Sequence, residues 1–153
     1  MTMNKKLLPL TLLHEAETDE MDGITRFQKL VFLAQEEGEI EEGYDFVPHS
    51  YGPFSKALYD DIDRLVDEGF VEEGEEQTAE SADNDKQVYR LTEDGRQVVE
   101  HAANGGDELD MPEELEASVR ATLGDYEDTD LYELLKYVYS EHPGMAKNSK
   151  LNI

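Results

Sequence analysis

The chain has 153 residues, with 38 acidic side chains against 13 Lys and Arg and a formal net charge of −25. Its length suits one domain that buries roughly 68–70% of its unfolded surface, and the lack of Cys excludes disulfides, thiolate metal sites and Cys nucleophiles. No apolar run approaches the roughly 18 residues of a membrane span, and MTMNKKLLPLTLLH runs into HEAETDE without a small-residue cleavage site, so a soluble cytoplasmic protein is expected.

In chain order, KKLLPLTLLHEA is a short apolar helix, either kinked early by Pro9 or starting at it. ITRFQKLVFLAQEEG predicts a helix with Thr25 and Gln28 in capping-box register, one face made by Phe27, Leu30, Val31 and Ala34, and an end at Gly38. YDFVPHSY alternates and contains Pro48, as a short edge strand or extended approach does. In PFSKALYDDIDRLVDEG, Pro53 stands at a first helical position, Phe54, Leu58, Ile62, Leu65 and Val66 share a face, and Gly69 suits a left-handed C-terminal cap with a Leu65–Phe70 contact.

The period then changes. GFVEE and KQVYRLT predict two strands of a hairpin whose long tip is EGEEQTAESADND. Thr92 caps a helix over TEDGRQVVEHAAN, whose first turn carries Glu93 and Asp94 where the helix dipole favours acids. PEELEASVRATLG and DLYELLKYVYSEH predict two more helices, and His142-Pro143-Gly144 stops the second. The order helix, helix, extended segment, helix, hairpin, helix predicts a mainly α winged helix-turn-helix-like single domain: a core over residues 1–104 and a helical extension of the same domain over 105–153. The helix from Pro53 to Glu68 is then the recognition helix, whose N-terminal residues reach base edges in the major groove.

ITRFQKLVFLAQ followed by YDFVPHSYGPFSKALYDDIDRLVDEGFVEE resembles the YwgA-like family of small prokaryotic proteins, and more distantly the Panacea domain of antitoxin and phage-defence proteins. The resemblance spans the first two thirds of the chain, and KYVYSEHPGMAKNS is similar to that family's C-terminal segment. It brings no catalytic residues; through the Panacea domain it implies a toxin-neutralising or protein-binding role.

At ordinary salt the negative charge opposes contact with nucleic acid or an anionic membrane. The acids are spread over every exposed face above an intact apolar pattern, as on a halophile's surface, and in molar salt the Debye length falls to about 3 Å, leaving local charge to decide what binds. Acid-free stretches run from Met1 to His14, Gly23 to Gln35, Phe46 to Tyr59, Lys86 to Thr92 and His142 to Ile153; they hold nine of the 13 cations. In a winged helix Thr25, Arg26, Lys29, His49, Ser50, Ser55, Lys56 and Arg90 converge on one face, joined by the aromatic anchors Tyr51 and Tyr59. Two readings stand: a DNA-binding regulator that enters with the N-terminus of the recognition helix, and a protein-binding module with the acidic wing facing a basic partner. A third, bland reading makes Tyr51 and Phe54 a buried core.

Enzyme chemistry is not expected. HEAE around His14 is not HExxH, His49 beside Ser50 lacks a triad, and no Gly-rich phosphate loop is present. The four His lack metal-ligand spacing, and no cofactor is implied. Surplus apolar faces on LLPLTLLH and LYELLKYVYS allow a homodimer, or packing of the two helices on each other in a monomer.

Overall fold

LLPLTLLHE forms helix α1 (Leu7–Glu15), with Pro9 in its first turn, where no intrahelical N–H bond is lost. The computed structural model describes residues 5–40, 43–75, 87–103 and 113–150. Being apolar almost all round, α1 is buried all round, from Leu7 through Leu13. It is covered chiefly by two helices that follow later in the chain, α4 (Glu93–Ala103) and α5 (Glu113–Tyr126). The apolar face predicted for dimerisation is therefore spent inside one chain, and the helices that cover it are not the last one.

A strand that the sequence pattern does not announce follows, β1 (Glu20–Asp22). EMD has one apolar residue and no period; it becomes a strand because a partner exists, with Met21 opposite Tyr89 and Glu20 opposite Arg90. Helix α2 (Ile24–Glu37) then begins at Gly23, whose φ of 87° a residue with a Cβ rarely adopts. No side chain caps it, so the predicted Thr25–Gln28 capping box does not form: Thr25 is already inside the helix, and Gln28 points into the core. Phe27, Leu30, Val31 and Ala34 are buried as the period predicts. At its other end Gly38 remains right-handed, at φ −90° and ψ −1°. Its small size is what matters, since a Cβ there would collide with Ser118 of α5.

Next come β2 (Val47–His49) and β3 (Gly52–Phe54), a hairpin in which Pro48 faces Pro53. Two residues without N–H suit a pair that exchanges no ladder bond. Pro53 is thus a strand residue rather than the first residue of the next helix. That helix, α3 (Lys56–Asp67), starts after Ser55, whose hydroxyl accepts a hydrogen bond from the Leu58 N–H at 3.1 Å. Leu58, Ile62 and Leu65 are its buried face. It ends as predicted: Gly69 takes φ 84°, the Phe70 N–H bonds Leu65 O at 2.9 Å and the Gly69 N–H bonds Val66 O at 3.1 Å, a Schellman arrangement.

Strands β4 (Val71–Glu75) and β5 (Gln87–Leu91) form the wing; of its predicted tip, residues 73–85, the first three belong to β4 and residues 76–85 lie outside the described residues, as does Lys86, the predicted start of the second strand. The sheet order is β1-β5-β4, all antiparallel, and β5 turns Tyr89 and Leu91 inward and Arg90 outward. Phe27 of α2 meets Tyr89 edge-on at 5.6 Å, tying sheet to helices. Thr92 caps α4 by accepting from the Gly95 N–H at 3.1 Å, while its own hydroxyl donates to Gly69 O at 2.7 Å. Helix α5 packs on α1 and α2, and α6 (Leu131–Glu141) packs on α2 and β3, ending in a short 3-10 turn, Pro143–Ala146. Helix, strand, helix, the helix α3 and a two-strand wing closed on β1 make a mainly helical winged helix, with the β2–β3 hairpin inserted before α3. No helix among the described residues is long and apolar enough to cross a membrane.

Candidate nucleic-acid interface

Helix α2 holds the inserted hairpin by side chains that imitate a neighbouring strand. Gln28 and Gln35 lie two turns apart on one buried stripe. The Gln28 amide donates to Ser55 O at 3.0 Å and accepts from the Ser55 N–H at 2.8 Å. The Gln35 amide does the same for Tyr44, accepting its N–H at 2.6 Å and donating to its carbonyl. Both ends of the 44–55 segment are thereby fastened, and the backbone polar groups a buried loop would leave unpaired are satisfied. Lys29, 3% exposed, adds a bond from its ammonium to Pro53 O at 2.9 Å. Gly52 keeps φ +91° there, with Lys29, Leu135 and Tyr139 closing round it.

The residues predicted as one patch divide. Lys29 and Ser55, 3% and 1% exposed, serve the interior. Arg26 is half-buried and donates to Thr129 O at 2.8 Å. Arg90 lies on the three-stranded sheet between two carboxylates, 2.8 Å from Glu20 and 3.5 Å from Glu72. Thr25, Lys29, His49 and Tyr51 do come together, as walls of a cleft of about 180 Å³ between α2 and the hairpin. From there an aromatic ridge runs to α3: His49 stacks on Phe54 at 4.8 Å, and Phe54 lies 6.2 Å from Tyr59. Tyr51 and Tyr59 are 38% and 41% exposed and Phe54 is half-buried, so this is a surface and not the closed core that a purely structural reading gives. Lys56 is exposed one turn from Tyr59, with Asp60 3.2 Å from its ammonium.

The acid-free patch read from the sequence did not include the C-terminal segment, which belongs to this surface. The Lys150 N–H donates to Ser50 O at 2.8 Å, the Asn148 amide to Pro48 O at 3.2 Å, and the Tyr139 hydroxyl to Ser149 at 2.7 Å. The hairpin turn and residues 147–150 are one structure. A signal was present, because both stretches lack acids, but only folding shows that they touch.

Two other polar contacts fasten elements to one another. Tyr126 and Tyr137 both donate to Glu37, fastening α5 and α6 to the end of α2. Burial, followed by the bonds to Tyr137 and Glu37, raises the Tyr126 phenol above its ordinary range. Burial also raises Tyr44, whose hydroxyl donates to Asp61 at 2.8 Å. Among the described residues no three His, Asp or Glu side chains are grouped as metal ligands.

Fold and surface together define a winged-helix domain with an acid-free ridge leading into α3. Residues 39–101, from just before the inserted hairpin into α4, match the Transcriptional regulator PadR-like family. Over 99 residues, 64% of the chain, the sequence is 32% identical to YwgA of Bacillus subtilis (strain 168), a protein described as uncharacterized. The chain spans about half of that relative, 54% of its length.

Proposed function

We propose that this chain is a non-enzymatic DNA-binding regulator that reads duplex DNA with the N-terminal turns of α3. The observation that carries this reading is the division of that helix. Leu58, Ile62 and Leu65 are spent on the core, which turns Lys56 and Tyr59 outward in a stretch without acids on a chain of charge −25. The likeness of residues 39–101 to PadR-like regulators supports it. Later turns of the helix expose Asp63, Asp67 and Glu68, so contact is confined to its start. The acidic surface fits a halophilic host, where screening reduces long-range repulsion of the duplex to local charge.

The test is selection of duplexes from a random library at molar salt, followed by titration of the enriched sequence. Lys56→Gln and Tyr59→Ala are each expected to weaken that complex about tenfold, the effect of removing a single base or phosphate interaction. Recovery of no sequence above background ends the reading. A protein-binding role is favoured by one other observation, the exposure of Val47, Tyr51 and Tyr59 as large apolar side chains in the hairpin–α3 region. It predicts a stoichiometric protein, and no DNA, in material purified from the native host.

A further inference from the structure

We propose that the β2–β3 hairpin, with the C-terminal segment pinned to it, is the second DNA-contacting element, gripping the phosphate backbone beside α3 while the β4–β5 wing stays off the duplex. This rests on the reading of α3 as the DNA-binding helix, and it names where the remaining affinity comes from.

Charge separates the two ribbons. Residues 46–59 and 142–150 contain no Asp or Glu and carry Lys56, Lys147 and Lys150, against a chain total of −25. Lys147 and Lys150 lie at the surface, and neither has a carboxylate in ion-pair range among the described residues. The wing exposes Glu72 and Glu73, and its cation among the described residues, Arg90, is already held by Glu20 and Glu72. A phosphate approaching β4 meets carboxylates; one approaching the hairpin meets ammonium groups.

Position and rigidity agree with charge. The hairpin runs directly into Ser55, the cap of α3, and the His49–Phe54–Tyr59 ridge makes hairpin and helix one continuous surface. Its backbone is fastened at both ends by Gln28 and Gln35, and its turn by Lys150. Little ordering entropy is then spent when the surface meets a ligand. Lys147 and Lys150, with Lys56 beside its partner Asp60 at the edge of the surface, favour a polyanion over a neutral or basic protein face, and α3 makes that polyanion the duplex it reads.

The experiment measures affinity for a pool of short random-sequence duplexes as a function of salt. The full-length parent chain is compared with Lys147→Gln/Lys150→Gln, Lys56→Gln and Glu72→Gln/Glu73→Gln, each checked for an unchanged thermal midpoint. The hairpin–tail variant is expected to bind every duplex more weakly by a similar factor and to lower the slope of log affinity against log salt by about 2, close to 0.9 for each phosphate that is no longer neutralised. An unchanged slope in that variant, with Lys56→Gln still weakened, overturns the proposal and leaves the α3 reading intact. A slope that changes by that amount on neutralising the wing instead also overturns it. If the parent binds no duplex, both fall, and release of a bound protein by the hairpin–tail variant then assigns the surface to a protein partner.

Discussion

The β2–β3 hairpin leads into α3 and the β4–β5 ribbon leads out of it, and both are two-stranded and antiparallel. The entering hairpin is short, proline-locked and acid-free, and it is bonded to buried side chains of α2. The leaving ribbon is edge-paired in a three-stranded sheet and presents Glu72 and Glu73 outward. Similar backbone geometry thus serves opposite ends. A strand pair whose neighbours are strands needs no side chains to hold it, so its outer face is free to carry the acidity of the surface. A strand pair outside the sheet must borrow hydrogen bonds from a helix, and the residues that lend them are uncharged amides and one buried Lys.

The difference can be broken most severely at Gln28. Gln28→Leu removes both bonds to Ser55 in a site 1% exposed, leaving the Ser55 N–H unpaired in the interior; stability is expected to fall by about 3 kcal/mol, read from the urea midpoint. Ser55→Ala tests the join between hairpin and helix. Loss of the cap to Leu58 is expected to cost about 1 kcal/mol, with helix content nearly unchanged by circular dichroism.

Alkaline titration probes the fastening just before the hairpin. The folded Tyr44 phenol is raised above its unfolded value near 10 by burial and by its bond to Asp61. Its contribution is therefore full below about pH 10 and is lost as pH rises above that value. Tyr44→Phe is expected to lose less stability than the parent between about pH 9 and about pH 11, measured by denaturant unfolding at each pH. On the wing the effect is smallest: Arg90 is more than half exposed, so Arg90→Gln is expected to change stability by about 0.5 kcal/mol and to leave duplex affinity unchanged.

Much of the architecture is legible in the chain because it rests on local periodicity. The buried faces of α2 and α3, the left-handed Gly69, the Thr92 cap and the two wing strands follow from spacing and from the conformations that single residues allow. The start of α3 is displaced from its expected place because Pro53 satisfies two local rules, first helical residue and strand residue, and only the strand across from it selects the second. Strand β1 is not legible at all, since EMD acquires its conformation from β5.

The candidate surface is legible in part. His49, Tyr51, Lys56 and Tyr59 lie along the exposed ridge that acid depletion in HSYGPFSKALY suggests, Lys56 with Asp60 as its ion-pair partner, whereas Lys29, Ser55 and Arg26 turn polar groups to backbone partners and Arg90 is held between two carboxylates of the sheet. Residue type alone does not distinguish a Lys offered to solvent from one whose ammonium caps a buried carbonyl. The sequence by itself determined the helices, the wing and the uneven distribution of acids, because each is written within a few turns of chain. Tertiary structure alone decided that Gln28 and Gln35 act as backbone clamps and that residues 147–150 lie against the 47–54 hairpin, because side-chain bonds to backbone outside the helix or strand that carries them leave no period in the sequence to read.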